Sequence, residues 1–333
     1  MRQRRVAIAL VAIAIDASQS LPAQQQDSAA HVQSVRGATR AYLDLDVNIE
    51  PIRGASINAV LAPFVTERLQ LGIAPYGYAS SFNGQTYYLE QAAAIANYFF
   101  LVSGNSRPFA GAYLAQAGQS YGPGYGTYGA QLGWLYFLAP SVGFRAEFRY
   151  RSDFRAHTPA STYVIVSLDP YLFGPASGKI GALPHLGVVD VSLLANYVYT
   201  PDREVSAQAM LAPFLTRWLQ VGGTLDYFFL FGFPEAHKLE WLARTYAPLA
   251  RRAMPFAEGF AEYGNFSDDV SGLSSFGLRG GVRSYVAPAV ALDAALEWRK
   301  HGEFSTGVLR HRSAEEVSLR VSLLTEFRLA RRR

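Results

Sequence analysis

At 333 residues, with 50% hydrophobic and 17% charged residues, the chain is too apolar to be disordered and long enough for two small domains or one large barrel. It contains no cysteine, which excludes disulfides, thiolate metal sites, iron–sulfur clusters and cysteine nucleophiles. The net charge of +4 sits largely at the ends, in Arg2, Arg4 and Arg5 and in Arg328 and Arg331–Arg333, so solvated termini are expected and a nucleic-acid groove is not.

In chain order, Met1 to about Ala23 reads as a secretory signal. A basic start precedes the apolar run Val6–Ile15, and the small residue Ala23 suits cleavage. Ten apolar residues are too few to span a bilayer, and no later run reaches the ~20 that a transmembrane helix needs. Residues 24–38 are polar and are expected to be flexible.

From residue 39 the chain repeats. Leu61-Ala62-Pro63-Phe64-Val65-Thr66-Glu67-Arg68-Leu69-Gln70-Leu71-Gly72 recurs 150 residues later as Leu211-Ala212-Pro213-Phe214-Leu215-Thr216-Arg217-Trp218-Leu219-Gln220-Val221-Gly222. Pro108-Phe109-Ala110 matches Pro255-Phe256-Ala257, and Tyr128–Arg151 matches Phe276–Arg299, in the same order. Blocks in one order at nearly one offset indicate duplication of a unit of about 140 residues. The first unit is expected over 39–174, a linker over 175–187, and the second unit over 188–333 with its basic tail.

Each unit alternates with period two, which means strands. Leu43, Leu45, Val47 and Ile49 alternate with Asp44, Asp46, Asn48 and Glu50; Phe144, Ala146, Phe148 and Tyr150 alternate with Arg145, Glu147, Arg149 and Arg151. Eight strands are predicted in the first unit, near 40–50, 55–64, 68–79, 86–101, 107–119, 127–137, 142–152 and 160–173. Eight more follow near 188–199, 205–214, 218–230, 238–248, 254–264, 273–285, 289–300 and 314–328. Tight turns at 65–67, 138–141, 215–217 and 286–288 contrast with loops at 80–85, 120–126, 153–159, 231–237, 265–272 and 301–313. That layout is the one used by transmembrane barrels.

The apolar face is expected to meet lipid. The strands are long for a soluble sheet, and the polar face mixes charges of both signs with Gly129, Gly133, Gly277 and Gly281. Aromatics such as Tyr76, Tyr78, Tyr98, Phe99, Phe100, Tyr150, Phe228 and Trp298 crowd the strand ends, where they would form interfacial girdles. Closure then satisfies the backbone.

The segments Ala96-Asn97-Tyr98-Phe99, Arg107-Pro108-Phe109-Ala110-Gly111-Ala112 and Tyr136–Glu147 resemble OmpA/opacity-type outer-membrane barrels, in pattern and turn wording. Leu319, Val321, Leu323 and Phe327 resemble the aromatic C-terminal assembly signal of such proteins. The resemblance implies the bacterial outer membrane of a Gram-negative cell, with its lipids, lipopolysaccharide and barrel-assembly machinery as partners. Family members usually carry one such unit, and this chain carries two.

The fold expected is therefore an all-β, antiparallel up-and-down transmembrane barrel of sixteen strands. A single ring is preferred because the linker is short, and two tandem eight-stranded barrels are the alternative. Eight strands enclose just enough room for side chains, whereas sixteen leave a channel. The charges expected to line the lumen are Asp44, Asp46, Glu50, Arg145, Glu147, Arg149, Asp293, Glu297, Arg299 and Arg320.

No catalytic, metal or cofactor site is expected. The six histidines lack ligand spacing. His311, Ser313, Glu315 and Glu316 resemble the residue set of outer-membrane lipid deacylases but read better as a solvated loop. Gly122-Pro123-Gly124-Tyr125-Gly126 reads as a flexible outer loop. The function expected is a passive, porin-like channel for small hydrophilic solutes, with a closed structural or surface-recognition barrel as the alternative.

Overall fold

The structure, a computed structural model, describes residues 36–50, 54–82, 85–101, 104–120, 122–139, 141–154, 160–172, 188–200, 204–230, 236–247, 253–266, 273–287, 290–301, 304–306, 309–311 and 315–328. The expected signal segment, the expected linker over 175–187 and the basic tail after Arg328 lie outside them.

The alternating segments form strands. Those of the first unit are β1 (Thr39–Glu50), β2 (Gly54–Pro63), β3 (Leu69–Phe82), β4 (Gln85–Phe99), β5 (Ser106–Gln119), β6 (Gly122–Ala139), β7 (Val142–Asp153) and β8 (Ser161–Leu172). The second unit supplies β9 (Val188–Thr200), β10 (Glu204–Pro213), β11 (Leu219–Leu230), β12 (Ala236–Tyr246), β13 (Ala253–Phe266), β14 (Leu273–Ala287), β15 (Val290–His301) and β18 (Glu315–Arg328). A two-stranded hairpin, β16 (Phe304–Thr306) and β17 (Leu309–His311), stands apart in the last loop. The sixteen long strands are antiparallel and close into one barrel.

The ring is inside-out relative to a soluble sandwich. Leu132, Trp134 and Leu278 are 60%, 54% and 62% exposed, whereas Arg145 and Arg283 are 1% and 0% exposed. An apolar outer face around a charged interior is what a bilayer demands of a closed sheet.

The repeated block folds the same way twice. In the first copy the Thr66 hydroxyl oxygen accepts from the Leu69 N–H at 3.0 Å, and the Val65 N–H donates to the Leu69 carbonyl at 2.9 Å. Thr216, Leu219 and Leu215 repeat both contacts at 3.0 and 2.9 Å. Each turn tips a phenylalanine inward. Phe64 lies 4.9 Å from Phe99, and Phe214 lies 5.3 Å from Tyr246. These rings belong to two buried aromatic floors, one per unit, at the end where β1 begins and β18 ends. Ala38, placed by sequence in the flexible leader, is buried in the first floor, and the neighbouring Gly37 N–H bonds to the Phe64 carbonyl at 2.9 Å.

Two sequence expectations need correction. The loops at 80–85 and 120–126 are mostly strand, since β3 runs to Phe82 and β6 starts at Gly122. Ladder pairing overrides the Gly/Pro signal there, with Gly126 opposite Gln116 and Tyr125 opposite Ala117. Phe99 and Tyr76 are not girdle residues: Phe99 is buried in the floor, and Tyr76 lines an interior cavity. Strand parity sends them inward, which aromatic content alone does not reveal.

At the seam the backbone uses both expected solutions. Toward the loop end β1 pairs with β18, from Asp44 opposite Ser322 to Val47 opposite Leu319, and β8 pairs with β9, from Tyr163 opposite Val198 to Ser167 opposite Leu194. These pairings make a single ring. Toward the terminal end the partners change. There β1 turns to β8 (Thr39 opposite Leu172, Arg40 opposite Tyr171), and β18 turns to β9 (Thr325 opposite Val191 through Arg328 opposite Val188). Each unit therefore closes on itself at that end.

Between the two regimes lies a fork. Among the described residues, 41–43 of β1, 168–170 of β8, 192–193 of β9 and 323–324 of β18 have no partner across the seam. Pro170, which has no backbone N–H to leave unpaired, sits in this gap. Leu43, Leu168, Leu193, Leu323 and Leu324 border a cavity of about 180 Å3 there.

Candidate functional site: the barrel interior

Strand parity puts one charged row from each of several strands into the lumen. In the second unit these rows join into a continuous ladder. Near the floor, Arg283 meets Asp190 at 2.6 Å, Asp293 at 2.7 Å and Glu326 at 3.2 Å. Arg244 bridges Asp293 to Glu258, the latter at 2.6 Å. Arg279 joins Glu258 to Glu240 (2.7 Å) and Glu297. Arg299 then takes Glu297 at 2.7 Å and Glu262 at 2.8 Å, and Lys238 ends the series on Glu262 at 2.8 Å. Each buried charge has at least one opposite charge beside it, which is the condition for tolerating ions away from water.

The guanidinium groups also rest on aromatic faces. Arg244 lies 4.1 Å over Phe256 and Arg279 lies 4.0 Å over Phe260. In the first unit Arg145 lies 4.1 Å over Phe109 and Arg149 lies 5.2 Å over Tyr113. The inward aromatics need glycine on the neighbouring strand. A Cβ at Gly133 would stand 2.6 Å from the Phe109 ring, and one at Gly277 would stand 2.5 Å from the Phe260 ring. The glycines thus clear space for rings under the arginines.

The first unit is built differently above its floor. Gln70 donates to the Ala62 carbonyl at 3.1 Å, Asn97 donates to Gln70 Oε1 at 3.1 Å, and Gln131 donates to Asn97 Oδ1. This amide chain runs along the interior wall from β3 over β4 to β6, passing above Gly111 of β5. Glu147 takes Arg145 at 2.6 Å and Arg149 on its other oxygen, while Arg40 takes Asp169 at 2.8 Å.

Of the lumen candidates, Arg145, Glu147, Asp293, Glu297 and Arg299 are buried in the interior, and Arg149 is half-buried beside Glu147. Arg320 reaches Glu297 at 3.2 Å and Asp46 at 3.7 Å, linking the two units across the seam, and Asp44 borders the fork cavity. Glu50 is the last residue of β1, opposite Val317, and its side chain lies outside the described residues. His311 falls in β17 and Ser313 lies outside the described residues, whereas Glu316 bonds to His301 Nε2 at 2.9 Å. Phe327 is paired with Val189 in the strand ladder.

Sequence reasoning missed Arg40, Asp169, Asp190, Glu240, Arg244, Glu258, Glu262, Arg279, Arg283 and Glu326. Part of the signal was present: Gly277, Arg279, Gly281, Arg283 and Tyr285 share one parity on β14, opposite to Leu278 and Val282. The repeated Gln70 and Gln220 carried another part, since each side chain bonds back to the carbonyl of Ala62 or Ala212.

No family model matches the chain, and no curated protein matches it. Solved structures of barrels do. A bacterial polysaccharide outer membrane secretin aligns at 11% identity over 88% of this chain and 99% of its own, with a TM-score of 0.46. The CymD monoaromatic hydrocarbon channel aligns at 11% identity over 93% of each chain, with a TM-score of 0.37. The outer membrane protein OprD from Pseudomonas aeruginosa aligns at 7% identity over 90% of this chain and 96% of its own, with a TM-score of 0.33. At such identities no residue of this interior can be matched one by one to theirs.

Proposed function

We propose that this chain is an exported outer-membrane β-barrel of a Gram-negative bacterium that passes small hydrophilic solutes by diffusion, with the charged interior rows setting selectivity. The observation that carries the reading is the inverted polarity: an apolar, aromatic outer wall around a lumen lined by Arg145, Glu147, Asp293, Glu297 and Arg299. In this reading the matching Thr66 and Thr216 turns and the two aromatic floors descend from a duplicated eight-strand unit of the OmpA/opacity kind. The N-terminal 23 residues act as a cleaved export signal. The barrel-assembly machinery inserts the strands, membrane lipids and lipopolysaccharide surround the outer wall, and no catalysis or nucleic-acid binding is involved.

The aromatic floors and the paired ladder narrow the path, so small conductance steps are expected. Recording single channels from refolded protein in planar bilayers tests this. Absence of steps from protein that shows the heat-dependent gel mobility of a folded barrel would overturn the channel. The fully buried Arg283 cluster favours one second reading, a closed structural or surface-recognition barrel, which that result would support.

A further inference from the structure

The cavity at the fork has two unlike sides. One is apolar: Leu43, Leu168, Leu193, Leu323 and Leu324, with Met210, border a space of about 180 Å3 inside a lumen otherwise rich in charge. Strand parity would turn Leu43, Leu168, Leu193 and Leu323 outward. They border the cavity where the four seam strands part and lose their partners across the seam. The other side is ionic, and its basic groups are committed. Lys238 is on Glu262 at 2.8 Å, Arg244 on Glu258 at 2.6 Å, Arg279 on Glu240 at 2.7 Å and Arg320 on Glu297 at 3.2 Å. Two further carboxylates border the cavity, Asp44 and Asp226, and among the described residues neither has an ion pair. Asp44 lies opposite Asn58 and Ser322, both neutral. Asp226 takes a hydrogen bond from Gln208 opposite it, while Lys238, opposite on the other side, has its ammonium on Glu262. Both carboxylates are within electrostatic reach of the Tyr42 hydroxyl, on a residue that also borders the cavity. Gln208 is inward by parity and yet exposed, so this side is open to lumen water.

The ion ladder beside these carboxylates already holds more carboxylates than basic groups among the described residues, so the fold has no spare cation for them. Uncompensated carboxylates attract a cation, and apolar surface left open to water gains by being covered. We propose that this cavity binds a small organic cation, a primary ammonium on a short hydrocarbon body. The ammonium goes to the side of Asp44 and Asp226, and the hydrocarbon lies against the leucines of the fork. Among the described residues no three His, Asp or Glu side chains come together as metal ligands would, and leucines offer a metal ion nothing. The size also suits: an apolar cavity of about 150 Å3 takes a benzene ring, so this one has room for a body of about six carbons. The apolar side is assembled from β1 and β8 of one unit and β9 and β18 of the other. The site therefore exists only because the two units share a fork.

The site stands apart from conduction and is tested separately, by isothermal titration calorimetry of the folded full-length protein in phosphatidylcholine nanodiscs, with empty nanodiscs as the blank. Hexylammonium is the probe. Hexanoate keeps a similar body and reverses the charge, and butylammonium keeps the charge and shortens the body. Hexylammonium is expected to bind and hexanoate not to. Butylammonium, two methylenes shorter, should bind roughly tenfold more weakly, since each buried methylene is worth about fourfold. Asp226→Asn and Asp44→Asn, near-isosteric and checked for folding by heat-dependent gel mobility, should each weaken hexylammonium by about tenfold, the range for a hydrogen bond to a charged group. Lys300→Gln, on an exposed side chain at the loop end, should leave its affinity unchanged. No binding of hexylammonium to folded protein, binding that neither aspartate variant weakens, or hexanoate binding as tightly would each overturn the site. Equal affinity for butylammonium would overturn the role given to the leucines. Conductance without hexylammonium binding sinks this site and spares the channel, and binding without conductance does the reverse.

Discussion

The energetics of the interior depend on single arginines. Arg283 is fully buried and faces Asp190, Asp293 and Glu326 together, so its removal leaves negative charges in a confined space with only Arg244 nearby to offset them. Arg283→Ala is expected to lower stability by roughly 3–5 kcal/mol, the cost of orphaning buried charge, read as a shifted urea midpoint of protein folded in lipid vesicles. Lys300→Ala is the contrast. Its partner Glu315 is 4.0 Å away and both side chains are exposed, so roughly 0–1 kcal/mol is expected. A large loss at Lys300 or none at Arg283 would contradict the packed ladder. Period two in the sequence marked Asp293, Glu297 and Arg299 as inward. It said nothing of which arginine each would meet, because those partners lie on other strands and their distances depend on shear and closure.

Among the elements, the four seam strands carry the feature that distinguishes this barrel. Each exchanges partners part-way along its length, so two rings at the terminal end merge into one at the loop end. Moving the fork by a residue pair trades β1–β8 and β9–β18 pairing for β1–β18 and β8–β9 pairing. The number of backbone hydrogen bonds stays the same. Side chains therefore decide where the fork stops, and the leucines at 43, 168, 193, 323 and 324 together with Pro170 occupy that point. Because the native chain has no cysteine, engineered pairs report on it cleanly. Leu45→Cys with Val321→Cys, and Thr39→Cys with Leu172→Cys, should each form a disulfide in folded protein, since each pair is directly opposite across the seam. Failure of the first pair would indicate two separate barrels, and failure of the second a plain single ring.

For the molecule as a whole, lipid is the solvent that makes the polarity sensible. Leu278→Arg places a charge on the outer face and is expected to cost roughly 2–4 kcal/mol in bilayers if it sits near mid-membrane. In a water-soluble barrel the same change on an exposed side chain would be nearly neutral. Unfolding titrations of the two proteins in vesicles separate these outcomes. The lumen holds two aromatic floors, an ion ladder and an amide chain, and cavities lie near the seam and in the first unit.

The sequence by itself determined the strands and their chain order. It also determined the face each presents where charged and apolar residues alternate strictly, as in β1 and β7, but not in β3 and β4, where Tyr76 and Phe99 turn inward. Alternation is local, and for the barrel strands it placed all but one boundary within a few residues; the exception, the start of β6, lay in a Gly/Pro-rich stretch whose pairing is not local. The matching turn blocks were equally legible, because Thr66 and Thr216 act within their own segments. Only the tertiary structure decided the seam and the charge partners. A strand edge offers the same N–H and C=O groups to any neighbour, so no residue pattern in β1 names β8 or β18 as its partner. The choice falls to shear, closure and the packing of leucines at the fork, and it divides one chain into two closed floors beneath a single ring.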